Sequence, residues 1–382
     1  MRREIFSDEH EHFREEFRRF ADAEIVPHIS DWNEKGICDP SAWRKMGEAG
    51  YLGANAPEEY GGAGADFLFN VVVMEELAYS RAHAPQASVH TDICMPYLST
   101  YGSEAQKERY LTRAISGECV LAIAMTEPST GSDLASIQTR AIRDGDEYVI
   151  NGSKTFISNG QSCGLVIVVA KTDPDASPPH SGVSLILVDG EAPGFERGRN
   201  LKKLGLKGQD TSELFFQDCR VPAANLLGQE GQGFKMLMEK LQQERLCISV
   251  GSIASCRRSL DDTLDYVKER KAFGRAIGQF QNTQFKLAEL ASEIEIGQAF
   301  VDKLLAAHVR GEEIVSEVSM AKWWTTELQR RVTADCLQLF GGYGFMDEYP
   351  ISQDYADAAV QTIYGGTNEI MKVIVARKLG LG

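Results

Sequence analysis

The stretch that decides the fold runs from Ile123 to Asp133 and reads IAMTEPSTGSD. It begins as the end of an apolar run, Val120 to Met125, with the length and content of a buried strand. Thr126-Glu127-Pro128 breaks that strand, because Pro128 has no N–H to give to a ladder. Ser129 to Asp133 then supplies small residues, hydroxyls and one glycine, able to bring backbone N–H groups close to a ligand. Such a turn suits an anionic or carbonyl-rich ligand better than an apolar one. Taken alone, it reads equally well as a plain exit from strand to loop.

A second segment, Ile150 to Gly160, reads INGSKTFISNG. Asn151-Gly152 carries the strongest short hairpin signal and predicts a tight turn there. It leads into Lys154 to Ser158, which alternates polar and apolar, and Asn159-Gly160 predicts a second turn before the apolar strand Leu165 to Ala170. Together the two segments predict a small β-domain with a hydroxyl-lined lip. TEPSTGSD followed by NGSKTFISNG resembles the flavin-binding core of the acyl-CoA dehydrogenases. The resemblance extends over essentially the whole chain, through RKAFG (Arg270 to Gly274), QLFGGYGF (Gln338 to Phe345) and IYGGTNEI (Ile363 to Ile370). Five separated motifs in one order are far more specific than any one of them.

At 382 residues the chain exceeds a usual single core, so two or three domains are expected. With 43% hydrophobic and 25% charged residues it has the composition of an ordinary globular protein. A net charge of -15 argues against a nucleic-acid partner and against an anionic membrane face, although acidity also serves solubility. The eight cysteines are scattered without a CxxC pair and several sit in apolar runs, which reads as reduced core cysteine in a reducing compartment. His10 and His12 are the only close histidines, and two residues apart on a helix they face different ways, so no metal site is expected. No stretch reaches the ~20 apolar residues of a membrane span. The first residues, MRREIFSDEH, lack an apolar core and turn acidic at once, so no secretory signal is expected. A bacterial cytoplasm fits, or a mitochondrial matrix if a transit peptide has been removed.

Residues 1–118 read as helices. Ser7 can cap a helix with Asp8 and Glu9 in its first turn and Phe13, Phe17 and Phe20 on one face. Glu58 to Gly64 is a loop, and Phe67 to Tyr79 and Thr91 to Tyr101 are further helices. Residues 119–230 switch to period two and turn chemistry, with DG at 144 and 189 and a proline-rich loop from Asp173 to Gly182. Val183 to Val188 and Leu214 to Phe216 complete an antiparallel sheet of small-barrel type. Gly228 to Gly233 imitates a dinucleotide fingerprint but lacks the βαβ context, which argues against a Rossmann domain. Residues 231–382 are helical, with runs through Arg270, Gln281 to His308 and Glu312 to Phe340 of the length that makes a bundle. The expected fold is α+β: an N-terminal helical domain, a central antiparallel β-barrel-like domain, and a C-terminal four-helix-type bundle.

The resemblance implies FAD and an acyl thioester enclosed by these three units. It implies that Ile123, Met125, Thr126, Gly131 and Ser132 line the isoalloxazine, with Phe156, Ile157 and Ser158 on its other side. Most relatives carry Trp-Ile-Thr at the last three positions, and Phe and Ser here keep an aromatic wall and a hydroxyl. It implies that Arg270, Phe273, Gln281, Gln338, Leu339, Gly341, Gly342, Thr367 and Glu369 reach a flavin, its dinucleotide part held mostly by a neighbouring subunit. Arginine suits a pyrophosphate through its fixed fork of donors; at a helix end Arg270 can also offset the dipole, but the flanking KAFG motif favours the cofactor. Positions implied to touch the coenzyme A thioester are Ser132, His180, Ser181, Lys235, Gln242, Glu244, Arg245, Gly365, Gly366 and Arg377.

Dehydrogenating an acyl thioester requires a base for the α-proton while a hydride leaves the β-carbon. Most family members place a glutamate before Gly-Thr in this motif, but here it reads Tyr364-Gly365-Gly366-Thr367, and Gly365 can abstract nothing. On the helix 231–270, Phe234, Leu237, Leu241 and Ile248 define an apolar face, and Glu244 falls on that same face. Burial raises a carboxyl pKa toward what a base needs, although a core glutamate satisfied by Arg245 would look the same. The long-chain and isovaleryl branches of the family carry their base at this helix position, and QQERL beside YGGTNEI resembles the long-chain branch most. The backbone N–H of Gly365 is then implied as a donor to the thioester carbonyl. The expected function is FAD-dependent α,β-dehydrogenation of a long or branched acyl-CoA, electrons passing to electron-transferring flavoprotein, in a homo-oligomer, most simply a tetramer. An acyl-CoA oxidase is the rival enzyme, disfavoured by the lack of an added domain. A non-catalytic flavin- or acyl-CoA-binding protein is the rival class, which Glu244 argues against.

Overall fold

The computed structural model describes residues 3–381. The N-terminal helices are α1 (Asp8–Glu24), α2 (Ile29–Lys35), α3 (Pro40–Glu48), α4 (Phe67–Tyr79), α5 (Met95–Tyr101), α6 (Glu104–Gln106) and α7 (Thr112–Ile115). Ser7 caps α1 as its sequence predicts: its hydroxyl accepts from the His10 N–H while the Ser7 N–H donates to the His10 ring. α4 has the bounds expected. The expected helix from Thr91 instead begins with a wide π turn, Val89–Cys94, before α5.

The middle of the chain forms an eight-stranded sheet from β1 (Leu121–Ala124), β2 (Arg140–Asp144), β3 (Glu147–Ser158), β4 (Leu165–Lys171), β5 (Val183–Asp189), β6 (Phe195–Asn200), β7 (Thr211–Pro222) and β8 (Leu226–Leu227). The order is β6-β7-β3-β2-β4-β5-β8, with β1 added beside β4. Three points correct the sequence reading. The sheet is mixed, because β1 and β2 both run parallel to β4. The segment Leu214 to Phe216 is the middle of a twelve-residue strand. Asn151-Gly152 is not a hairpin turn but lies inside β3, where the register against β7 slips. The reversal falls earlier, at Gly145 between β2 and β3. Glycine is required at 152 for a tertiary reason: with φ 153 its Cα faces Thr139, and an added Cβ would sit 2.5 Å from the Thr139 hydroxyl.

β4 shows how the sheet is held. Leu165, Ile167 and Val169 pack into a core shared with the N-terminal helices, while Val166, Val168 and Ala170 pack into a core on the other face. A strand buried on both sides reads as an unbroken apolar run.

The chain then enters α8 (Gly233–Glu269), whose 37 residues span about 55 Å. A short hairpin, β9 (Lys271–Ala272) and β10 (Arg275–Ala276), leads to α9 (Gln281–Val309), α10 (Val315–Phe340), α11 (Pro350–Gln361) and α12 (Asn368–Lys378). α8 packs against α4, α9 and α10, so one long helix joins the bundle to the N-terminal helices. Glu244 sits about a third of the way along it.

Candidate active site

The site grows out of the bend at Thr126-Glu127-Pro128. Glu127 is buried and accepts from the N–H groups of Gln138 (2.6 Å) and Thr139 (2.9 Å). Lys154, fully buried on β3, donates to Glu127 at 2.9 Å and to the Met125 carbonyl at 3.0 Å, and the Thr155 N–H donates to the Thr126 carbonyl. Burial pulls the Lys154 ammonium down to about 8; the Lys154 charge and these N–H bonds hold Glu127 below the usual carboxylate range despite its own desolvation. The bend is therefore tied to β3, and the next residues of β3 face the same space. Phe156 takes a left-handed backbone conformation (φ 59) where β3 slips register against β7, and its ring is 67% exposed although it lines a cavity. Such strain, of order 1–3 kcal/mol, collects at ligand sites.

The cavity holds about 250 Å³. Ile123, Met125 and Thr126 line one part, Phe156, Ile157 and Ser158 another, and Glu244, Cys247 and Ile248 of α8 a third, with Tyr364 and Gly365 beside them. The structure thus brings together most of the expected isoalloxazine contacts with the expected base. Glu244 is buried, and burial pushes its carboxyl up to about 7. Its hydrogen-bond partner is not Arg245, as the sequence alternative has it, but Tyr97 of α5, whose hydroxyl donates to Glu244 Oε1 at 2.9 Å. Arg245 Nε instead points to the Gly365 carbonyl at 3.4 Å, while its charge still favours the Glu244 anion.

Gly365 and Gly366 both have left-handed φ, 63 and 89, a pair that only glycines adopt readily. Their turn is anchored by Lys322 of α10, which is fully buried and donates to the Gly366 carbonyl (2.8 Å) and to Asn368 Oδ1 (3.1 Å). Burial and the nearby Arg245 pull Lys322 down to about 8. Ser158 Oγ accepts from Gln209 Nε2 at 2.7 Å, and Gln209 Oε1 is buried with no partner among the described residues. Tyr97, Lys322 and Gln209 were missed by sequence reasoning, since each becomes relevant only through a contact across more than forty positions.

A second, shallower cleft of about 540 Å³ lies at the far end of α8. Arg270, Leu339, Gly341 and Gly342 line it, and the Arg270 guanidinium lies 5.4 Å from the Tyr343 ring centroid. Gln338 and Gln281 are exposed outside it, and Phe273 stands 97% exposed on the β9–β10 turn. Thr367 caps α12 by accepting from the Ile370 N–H, with Glu369 exposed in the first turn. Gly131 and Ser132 are exposed and line neither space. His180 packs its ring 5.2 Å from Phe234, and Ser181 donates to the Pro178 carbonyl. Lys235 and Arg377 are exposed, whereas Gln242 braces the α9–α10 connection through Glu312 and Ile314.

A sheet unit between two helical units, with a carboxylate and a glycine turn facing a strand-lined lip, has the three-unit architecture expected of the flavin-dependent acyl-CoA dehydrogenases. Family models cover nearly all of the chain: acyl-CoA dehydrogenase N-terminal domain over residues 7–118, middle domain over 122–219 and C-terminal domain over 231–380. The chain belongs to the acyl-CoA dehydrogenase family, which is flavin-dependent and acts in fatty-acid metabolism. It is 48% identical over 377 residues to the mitochondrial long-chain specific acyl-CoA dehydrogenase of Mus musculus, covering 99% of this chain and 88% of that protein. It is 38% identical over 336 residues to the mitochondrial isovaleryl-CoA dehydrogenase of Pongo abelii, covering 88% and 79% respectively. The crystal structure of an acyl-CoA dehydrogenase from Geobacillus kaustophilus superposes with TM-score 0.98 at 51% identity, covering 99% of this chain and 100% of that one.

Proposed function

We propose that this chain binds FAD and desaturates a long-chain acyl-CoA to the trans-2-enoyl-CoA, with Glu244 taking the α-proton. The observation that carries the reading is Glu244 itself: a buried carboxyl raised to about 7, on the cavity wall beside Gly365 and across from Phe156 to Ser158. The residues present fit a flavin, since Phe156, on a left-handed backbone, sets an exposed ring on the lip, and Gln209, which donates through Nε2 to Ser158, keeps a buried Oε1 with no partner among the described residues. When bound, FAD supplies the hydride acceptor for the β-carbon. The protein's own part is to hold the acyl chain among apolar side chains of α4, the Val89–Cys94 turn and α8, to exclude water, and to receive the proton at Glu244. Gly365 offers its backbone N–H to the thioester carbonyl as enolate character develops.

The chain-length reading rests on the likeness to the long-chain enzyme, and on an apolar cavity edge formed by Met74, Leu77, Val89 and Ile93. A homo-oligomer, most simply a tetramer, is supported by the separation of the two spaces along α8 and by apolar residues such as Phe273, Phe285 and Phe345 left on the surface. Electrons then leave to electron-transferring flavoprotein. Eight free, buried cysteines suit a reducing compartment, a bacterial cytoplasm or a mitochondrial matrix. The boundaries 1–118, 119–230 and 231–382 remain our reading of the units.

Anaerobic mixing of purified, flavin-loaded protein with straight and branched acyl-CoAs tests this. Bleaching of the flavin should be fastest with long straight chains. Absence of bleaching with every thioester would refute the reading, and stoichiometric peroxide during turnover in air would make the chain an oxidase.

A further inference from the structure

We infer that Tyr97 is a positioning residue for the reaction: its hydroxyl pins one oxygen of Glu244 and leaves the other to take the α-proton. The inference rests on the proposed role of Glu244 as the base.

The geometry is specific. Tyr97 is fully buried on α5, and its hydroxyl donates to Glu244 Oε1 at 2.9 Å across 147 positions of sequence. No other hydrogen bond reaches Glu244 among the described residues, so Oε2 is left unbonded in a side chain that lines the cavity. The wide turn Val89–Cys94 sets where Tyr97 points, because a π turn rotates everything after it relative to a regular helix. Gln243 fastens that turn to α8 by donating to the Asp92 carbonyl at 2.7 Å, one residue before Glu244. The contact between Tyr97 and Glu244 is therefore built from both sides.

A tyrosine suits this post. Burial, reinforced by Glu244, raises the phenol far above its ordinary range, so it stays a donor at any working pH. The other titratable neighbours do less. Cys94 from the π turn and Cys247 from α8 are held as neutral thiols by burial. Asp92 behind them is pushed up to about 7 and bonds to Asn70. Tyr364 across the cavity donates to Gln361, and Arg245 is directed at Gly365. Two influences thus offset the burial that favours protonated Glu244: the Tyr97 bond first, and the Arg245 charge second. Losing a hydrogen bond to the anion should move the ionisation upward by about one unit.

The test is the pH dependence of flavin reduction by a saturating acyl-CoA, measured anaerobically in single turnovers of the holoenzyme. In Tyr97→Phe the acid limb should move up by about one unit and the limiting rate should fall roughly 10-fold, with flavin content and KM near wild type. Incorporating 3-fluorotyrosine at position 97 gives a more acidic donor and should move the limb down. Opposite displacements are something a packing role cannot produce. An unchanged limb in both variants would overturn the inference, as would a loss of flavin or thermal stability with no pH effect. If Tyr97→Phe does not fold, the fluorinated protein decides alone. Glu244→Gln serves as the control: wild-type reduction in that variant would refute the base reading itself.

Discussion

Gly365 and Ile248 interlock: a Cβ built on Gly365 would lie 2.3 Å from the Ile248 Cδ1, and the Gly365 backbone is held at φ 63. The turn that faces the cavity is thus shaped for a residue without a side chain. A glutamate introduced there must displace Ile248 and adopt a left-handed backbone, at about 1–2 kcal/mol. Gly365→Glu in a Glu244→Gln background should therefore restore little of the rate, and should lower stability by that amount in denaturant melts. Full recovery would show that the turn is more forgiving than its geometry implies.

Removing the proposed base alone is the sharper change. Glu244→Gln keeps size and helix propensity and leaves an oxygen for the Tyr97 hydroxyl. Flavin and acyl-CoA should still bind, while flavin reduction should fall ~10²–10⁴-fold. Stopped-flow absorbance under argon reads this directly.

The same substitution has a signature in stability. The carboxyl of Glu244 titrates near 7 in the folded chain, above its ordinary 4.5, so the folded state holds the proton more tightly than the unfolded one. Its contribution is fully present below about 4.5 and is lost as pH rises through about 7. Glutamine is neutral throughout. Glu244→Gln should accordingly raise the thermal midpoint more at pH ~8 than at pH ~5. Equal changes at both would place the carboxyl near its ordinary value.

Lys154 and Glu127 make the one prediction that concerns the sheet. Lys154→Met leaves Glu127 buried with only two backbone N–H groups, and breaking such a pair costs about 3–5 kcal/mol. Flavin retention should fall with it, because the bend loses its two side-chain ties to β3, at Met125 and Glu127, and keeps the Thr155 N–H bond to the Thr126 carbonyl. Lys154→Met with Glu127→Gln should recover part of the stability. A single variant as stable as wild type would mean the pair is neutral in place.

What the sequence by itself determined was local. Ser7 as a cap, α4, and the apolar runs that became β4 and β5 follow from periodicity and capping chemistry within a few residues. Glu244 on an apolar helix face was also legible, since 3.6-residue geometry places it between Leu241 and Ile248. The tertiary structure decided the rest. Asn151-Gly152 carries hairpin chemistry, yet the glycine is spent on a close approach to Thr139, and Gly145 makes the turn instead. Arg245 is the nearest cation to Glu244 in sequence, yet a helix turns successive side chains by about 100°, so Arg245 meets Gly365 while Tyr97 meets Glu244. Lys322 and Gln209 look like ordinary polar residues until burial leaves them few partners to choose from. A buried polar group must be satisfied by whatever the fold brings within 3 Å or so, and that neighbour is set by packing between distant segments rather than by the chain beside it.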